Sequence, residues 1–289
     1  MTANERSAIS FLSQRRADKL KSFWLRCRQL RNQLTLARKW YLGSHTPYQP
    51  VFVLATHRSG SNLLIDYMKR LPGIRCLSEI LCITLPYGIA RRQSRSDFAL
   101  RHVRRSLHSL GSPIRGCKLM LDQLATCQLP LSTLDAAFPD AKYIILYRQS
   151  LTEQYLSHQS AKATQQWYLV DEQKRKQARV TVDPIKLRSY CADIRGAYRE
   201  ILDHAWLPRR SALLSYEELA ADPAWCFSNH IGPLLNVPVN NLETALKKQN
   251  TLPLAERVAN YREVAALLAS PLCTQHYSWS PAQSARRAA

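Results

Sequence analysis

Apolar residues recur along this chain with two different periods. Short apolar runs have the length of buried strands, and stretches with one apolar helical face separate them. The strand-like runs are 51–55, 74–77, 116–121, 142–147 and 211–215. The helical stretches are 61–71, parts of 85–110, 122–137, 149–166, 184–205 and 224–235. This alternation predicts an α/β fold in which helices cover both faces of a parallel sheet.

Ahead of the first strand, apolar residues such as Ile9 and Trp24 recur at helical spacing, which predicts one long amphipathic helix over 8–42. Pro47 and Pro50 separate this helix from the alternating region. We therefore expect three parts, namely a basic helical arm (1–46), an α/β domain (47–282) and a disordered tail (283–289).

Charge is concentrated in two places. The 289 residues carry a net charge of +20. Residues 1–50 hold ten lysines and arginines against two carboxylates, and residues 91–115 hold seven arginines against Asp97. Such local excess indicates an anionic partner. For segment 91–115 we expect helices with a solvated basic face, on which His102 and His108 would also be solvated.

The arm has three interpretations. It packs on its own domain or on a second subunit of a homodimer, or it attaches peripherally to an anionic membrane face, where Trp and Phe beside Lys and Arg are typical. Nucleic acid is not expected as a partner, because no recognised nucleic-acid motif accompanies the charge.

The eight cysteines stand singly, with no CxxC pair, in a chain long enough not to need disulfides. They indicate reduced thiols in a cytoplasmic protein, with a peripheral position at the membrane as the alternative, and they predict no metal site. No apolar run approaches the roughly 20 residues of a membrane span.

The turn after the first strand carries the first candidate chemistry. It reads Thr56-His-Arg-Ser-Gly-Ser-Asn-Leu-Leu64 and leads directly into a helix. The free N–H groups of a helix N-terminus favour phosphate or sulfate, Gly60 permits close approach of the backbone, and Arg58 adds a charge. Ordinary helix capping by Ser59 or Ser61 is the competing interpretation.

A second turn follows the strand 142–147. Here Arg148 stands at the strand end and Ser157 lies on the next helix, so that together they could hold a second phosphate. Trp167 closes the same segment. Arg and Ser are common surface residues, and the pair gains weight from following the first turn in the chain.

The two turns resemble motifs of the sulfotransferases that use 3′-phosphoadenosine-5′-phosphosulfate. The closer match is to the bacterial carbohydrate and nodulation-type branch, which includes the trehalose sulfotransferases. Residues 56–64 fit T-x-R-[ST]-G-S-[NT]-L-L, and 147–157 fit Y-R-x-x-L-x-x-Q-x-[VL]-S. The resemblance spans about 50–280 and implies a P-loop-like parallel sheet with the arm as an addition.

The resemblance also implies roles for individual residues. The 5′-phosphosulfate would be bound by Arg58, Ser59, Gly60, Ser61, Asn62 and Leu63. The 3′-phosphate would be bound by Arg148 and Ser157, completed by Lys247, Lys248 or Arg257. Glu79 stands where the resembling bacterial enzymes have their proposed general base. Lys118 is either a strand residue at the core edge or a residue that orients the sulfuryl group.

These implications predict an enzyme that moves a sulfuryl group from this nucleotide donor to a hydroxyl of a carbohydrate, glycolipid or small natural product, without a metal. Two alternatives stay open. One is a P-loop kinase-like phosphotransferase, and the other is a non-catalytic membrane-associated binding protein on the same fold.

Overall fold

A computed structural model describes residues 3–43, 45–240 and 242–279, with side chains from residue 19 onward. Its centre is a five-stranded sheet in the order β2-β3-β1-β4-β5, and every strand pair is parallel. The strands are β1 (Gln49–Ala55), β2 (Ile74–Glu79), β3 (Ile114–Met120), β4 (Lys142–Tyr147) and β5 (Ser211–Ser215). The predicted α/β class is therefore confirmed.

Helices connect the strands and cover both faces of the sheet, as parallel connections require. They are α1 (Ala3–Leu42), α2 (Ser61–Met68), α3 (Ser96–His108), α4 (Leu121–Thr126), α5 (Leu131–Ala137), α6 (Leu151–Thr164), α7 (Pro184–Leu202), α8 (Tyr216–Ala221), α9 (Pro223–Cys226), α10 (Gly232–Leu235), α11 (Leu254–Arg257) and α12 (Tyr261–Leu268). A single π turn, Phe227–Ile231, joins α9 to α10.

The sheet is buried on both faces, which explains why its strands read as continuous apolar runs. All seven residues of β3 are buried, and six of the seven in β1 are. Alternate β1 residues enter different clusters, with Phe52 and Leu54 on one face and Val51 and Val53 on the other. This two-sided core fixes the strand ends from which the functional loops leave.

The order of the strands brings two loops together. From β1 the chain crosses to β2 on one side, whereas from β4 it crosses to β5 on the other. Because β1 and β4 are neighbours, a crevice opens beyond their carboxyl ends, the place where open α/β sheets bind ligands. The loop 56–60 and the loop 148–150 flank this crevice.

Some predicted element boundaries were wrong. The stretch 122–137 is two helices, because Gln128 takes a left-handed backbone (φ 50°) and Pro130 follows it. Of the stretch 85–110, parts of which were predicted to be helical, α3 forms the α-helix, and a short 3₁₀ turn at Arg91–Gln93 precedes it, as the prediction allowed. The strand predicted at 74–77 extends to Glu79.

The expectation that His102 and His108 are solvated was wrong, although most arginines of segment 91–115 are exposed. His102 is 3% exposed and His108 is 7% exposed, and burial lowers the pKa of His102 to about 4. Arg115 is buried in β3, where its guanidinium donates to the carbonyls of Ser112 and His108 and lies over the ring of Tyr48. In this segment, apolar periodicity and strand position decide burial more than the neighbouring charges do.

The remaining predictions fare as follows. The helix predicted over 8–42 is confirmed as α1. All eight cysteines are free thiols, and six of them are buried. The boundary between arm and domain stays a prediction, and the predicted tail 283–289 lies outside the described residues.

Candidate functional site

The loop after β1 has a backbone that few sequences tolerate. Both Arg58 (φ 64°) and Gly60 (φ 89°) are left-handed, and α2 begins at Ser61 directly after them. A Cβ placed on Gly60 would lie 2.2 Å from Cδ2 of Tyr216. Glycine is therefore required for two reasons, the left-handed dihedral angle and the close packing of Tyr216, the first residue of α8.

Hydrogen bonds from buried polar side chains fix the backbone of this loop. The amide of Gln154, which is fully buried, donates to Thr56 Oγ1 at 2.8 Å and to the carbonyl of His57 at 2.6 Å. The N–H of Thr56 donates to the hydroxyl of Tyr198 at 3.2 Å, and that hydroxyl donates to the Leu146 carbonyl. Gln154 belongs to the quoted motif, whereas no local signal marks Tyr198, which comes from α7.

Arg58 lies at the centre of the crevice. Its Nε donates to Ser157 Oγ at 2.9 Å, and its terminal nitrogens donate to the Trp167 carbonyl and to the Gln249 side chain. Burial, and then the nearby charge of Arg148, lower the pKa of Arg58 to about 10, so the residue remains a cation at neutral pH. The structure therefore joins Arg58 to Ser157, two residues that the motifs assign to different phosphates.

Arg148 lies beneath the same loop. It is 9% exposed, donates to the carbonyl of Arg58 at 3.3 Å, and has its guanidinium 4.7 Å from the ring centre of Tyr216. Glu153 and Glu217 lie 3.8 and 3.9 Å from it. Arg148 thus supports the loop backbone with its charge partly compensated by two carboxylates.

A second polar cluster lies at the ends of β2 and β3. Lys118 is 1% exposed, and its Nζ contacts Glu79 Oε1 at 2.9 Å and Asn62 Oδ1 at 2.6 Å. Gln123 donates to the other oxygen of Glu79 at 3.0 Å. Burial lowers the pKa of Lys118, and the neighbouring Glu79 opposes that shift. Lys118 is thus a buried strand residue whose charge contacts Glu79 and Asn62, and its role in orienting the sulfuryl group stays a prediction.

The other motif residues line the start of α2. Ser59 and Ser61 are buried, Leu63 is half-buried, and Asn62 is exposed apart from its contact with Lys118. The first turn of α2 contains no acidic residue. This helix end is therefore free of a built-in anion that would compete with a ligand.

Sequence reasoning missed a histidine pair at the crevice rim. His57 Nε2 lies 3.1 Å from Asp122 Oδ2, and its ring stacks on that of His158 with 6.2 Å between centres. The hydrogen bond with Asp122 raises the pKa of His57, while burial lowers the pKa of His158 to about 4. The position of His57 inside the loop motif was the available signal.

A cavity of about 210 Å³ adjoins the crevice. It is lined by Leu156 and Ser160 of α6, by 177–180, by 249–252, and by Glu256 and Arg257. Gln249 belongs both to this lining and to the contacts of Arg58. Among the described residues, the buried Nε atoms of Arg148 and Arg257 have no hydrogen-bond acceptor. An anion in this region would supply one.

No group of three or more His, Cys, Asp or Glu side chains could hold a metal ion within residues 3–43, 45–240 and 242–279. Over the same ranges, no helix is long and apolar enough to cross a membrane.

No family model and no curated protein matches the sequence. Solved structures do. A sulfotransferase from Alicyclobacillus acidocaldarius is 14% identical with a TM-score of 0.45, over 78% of this chain and 92% of that one. Sulfotransferase STF1 from Mycobacterium tuberculosis H37Rv is 15% identical with a TM-score of 0.49, over 76% of each chain. Mouse sulfotransferase SULT7A1, solved in complex with PAP, is 15% identical with a TM-score of 0.40, over 68% of this chain and 62% of that one.

Proposed function

We propose that this protein is a sulfotransferase that moves a sulfuryl group from 3′-phosphoadenosine-5′-phosphosulfate to a hydroxyl group. One observation carries the proposal. Lys118 contacts both Glu79 and Asn62. It therefore connects a carboxylate at the end of β2 to α2, the helix that follows the loop 56–60. A base, a cation and a helix N-terminus at neighbouring strand ends are the groups that transfer of an anionic group to a hydroxyl requires.

The loop residues suit the phosphosulfate end of the donor. The N–H groups at the start of α2 would bind the anionic oxygens, and Arg58 would exchange its contacts with Ser157 and Gln249 for contacts with the ligand. The motif resemblance assigns the 3′-phosphate to Arg148 and Ser157. Because Arg58 already contacts Ser157, we expect the two phosphate subsites to share that serine.

The cavity beside α6 suits the nucleoside end. It opens next to Gln249, and its lining includes Arg257, which makes a bidentate contact with Glu153. Arg257 is also the best placed of the three basic residues suggested to complete the 3′-phosphate site, because Glu153 connects it to Arg148.

In the proposed reaction, the acceptor oxygen attacks sulfur as the bond between sulfur and the bridging oxygen of the donor breaks. Adenosine 3′,5′-bisphosphate leaves, and the acceptor proton passes to Glu79. Arg58 and the loop N–H groups would neutralise charge on the transferred group and on the leaving phosphate. Lys118 would fix the direction of the Glu79 carboxylate through one oxygen, and Gln123 would hold the other oxygen.

The test begins with the donor product. We expect isothermal calorimetry to detect binding of adenosine 3′,5′-bisphosphate equally with and without a magnesium chelator, whereas a kinase-like protein would need the metal. Labelled donor incubated with a panel of carbohydrate, glycolipid and small hydroxylated acceptors should then yield a product heavier by one sulfuryl group. Failure of both measurements would overturn the proposed function.

Glu79→Gln tests the proposed base while keeping the size of the side chain. A positioned base contributes on the order of 10²–10⁴ in rate, so turnover should fall by that factor while affinity for the bisphosphate stays within about twofold. The control is Glu200→Gln, which changes an exposed carboxylate on α7 and should leave turnover unchanged. Full turnover by a folded Glu79→Gln protein would remove Glu79 from the reaction without affecting the donor assignment.

A further inference from the structure

The side of the arm helix α1 that faces the domain carries polar residues beside the buried Leu36. Gln29 is 2% exposed, and its amide donates to three backbone carbonyls of segment 83–93 at 3.0–3.2 Å. Asn32 donates to a further carbonyl of that segment at 3.1 Å, and Gln33 exchanges hydrogen bonds with Gln93. Since buried carbonyls need donors, these contacts fix how the helix is rotated about its axis.

The opposite side of the helix faces outward and carries large apolar side chains. Its large side chains are exposed as follows: Leu20 60%, Phe23 61%, Trp24 65%, Leu30 58% and Leu34 64%. At 3.6 residues per turn, these five positions fall within an arc roughly 120° wide that points away from Gln29. Large exposed apolar side chains gathered on one side of a helix mark an interaction surface.

Cations border this arc on both sides. Residues 19–42 contain seven lysines and arginines and no carboxylate, and all seven are exposed. Lys21, Arg28 and Lys39 lie along one border of the arc, and Lys19 and Arg26 lie along the other. Arg31 and Arg38 lie within the arc, in the C-terminal half of the helix. Long basic side chains beside aromatic and aliphatic ones are the pattern of a helix lying in a membrane interface.

The second basic segment lies against the first. A cleft of about 430 Å³ separates α1 from segment 83–93, and its lining includes Arg26, Arg91 and Arg92 together with Leu25 and Leu30. Arginines on both walls of this cleft suit a phosphate group, and its apolar side chains suit the acyl chain of the same lipid. The cleft thus brings Arg91 and Arg92 of the second basic segment close to the edge of α1 that carries Arg26.

A second copy of this chain is a poorer occupant. A symmetric pair across the arc would place the bordering cations of one helix against those of the other, and residues 19–42 offer no carboxylate to compensate them. We propose that the outward side of α1 docks on an anionic phospholipid surface, with its large apolar side chains among the acyl chains and the long side chains of its cations, Arg31 and Arg38 included, reaching to the phosphates. This inference is independent of the proposed enzymatic activity.

Cosedimentation with vesicles tests the proposal on the full chain. We expect binding to equal mixtures of phosphatidylglycerol and phosphatidylcholine, no binding to phosphatidylcholine alone, and weakening as salt is raised. Equal binding to both vesicle types, or to neither, would overturn the proposal.

Two variants identify the surface. The triple change Phe23→Ser, Trp24→Ser, Leu34→Ser should lower vesicle affinity about a hundredfold, since it removes the large apolar groups that enter the membrane. The control, Ile185→Ser with Trp225→Ser, removes apolar groups that are 79% and 49% exposed on α7 and α9, and should bind vesicles as the wild type does.

The charge variant Lys21→Gln, Arg28→Gln, Lys39→Gln tests the same surface by an independent route if the apolar variant proves poorly folded, and it should lose the preference for phosphatidylglycerol. Sedimentation equilibrium decides the competing occupant. A concentration-dependent dimer that the triple Ser variant abolishes, in a protein that ignores vesicles, would assign the arc to a second copy and refute the membrane proposal.

Discussion

The crevice and the arm are both rich in cations, but they differ in where those cations find partners. Lys118, Arg148 and Arg257 are largely buried, and each contacts a carboxylate of its own chain. The cations of α1 from residue 19 onward are exposed on a helix stretch without a carboxylate. The first group is part of the folded architecture, whereas the second is available to an external surface.

The difference shows that net charge is a poor guide to a functional site. Most of the +20 lies outside the crevice, and the few cations inside it act at short range in a buried setting, where each interaction is stronger and salt screens it less. Loss of a crevice cation should therefore affect folding and ligand binding, and loss of an arm cation should affect neither.

Among the variants that test this comparison, Lys118→Met should have the largest effect on stability. It leaves Glu79, which is 19% exposed, without its ion partner, so the free energy of unfolding should fall by about 4 kcal/mol, as measured by urea denaturation. The matched change Arg28→Met on α1 should stay within about 0.5 kcal/mol of the wild type. Similar losses for the two variants would contradict the distinction between buried and available cations.

Gly60→Ala tests how tightly the crevice loop is packed. Because a Cβ would lie 2.2 Å from Tyr216 and φ is 89°, we expect a loss of about 3 kcal/mol in thermal or chemical denaturation. Gly73→Ala is the control, since it shares a positive φ of 73° but has no atom within 4 Å of the added Cβ. That variant should lose only about 1 kcal/mol, and equal losses would show that the dihedral angle alone matters.

Asp122→Asn gives the smallest effect, because the His57–Asp122 pair is partly exposed at the crevice rim. The raised pKa of His57 means that the pair stabilises the fold below the ordinary imidazole pKa and stops doing so as pH rises through the folded value. Burial acts to raise the pKa of Asp122, but the contact with His57 keeps it below its ordinary value, so the contribution also fades in strong acid.

The variant should therefore be less stable than the wild type only at mildly acidic pH, by under about 1 kcal/mol. An NMR titration should show the pKa of His57 falling. Asp97→Asn, which removes a carboxylate paired with Arg101, should leave that titration unchanged. An unchanged His57 titration in Asp122→Asn would show that the hydrogen bond does not control its pKa.

Local sequence signals predicted the strands well, because a strand buried on both faces is a continuous apolar run. They predicted the first loop well, because its left-handed backbone requires glycine at position 60. They failed where partners are distant in the chain. Tyr198 supports Thr56 from α7, and Gln249 reaches Arg58 from beyond β5. No spacing rule relates such residues before the chain has folded.

Periodicity also predicted α1 without indicating which side would face the domain. On the domain-facing side, Leu36 is buried and Trp40 contacts His108, and Gln29 and Gln33 make the hydrogen bonds with segment 83–93. The deciding factor was a set of backbone carbonyls in that segment that accept from Gln29 and Asn32, which side-chain patterns do not encode.

The strand order has a kinetic consequence. The central strand β1 pairs only with β3 and β4, through registers such as Gln49 with Ile114 and Val51 with Lys142. During synthesis, β1 leaves the ribosome well before β3 and β4 have been translated. The apolar residues of β1 therefore stay unpaired until those two strands appear. Folding dominated by such distant pairings is slow, so refolding yield should depend on dilution and temperature more than native stability does.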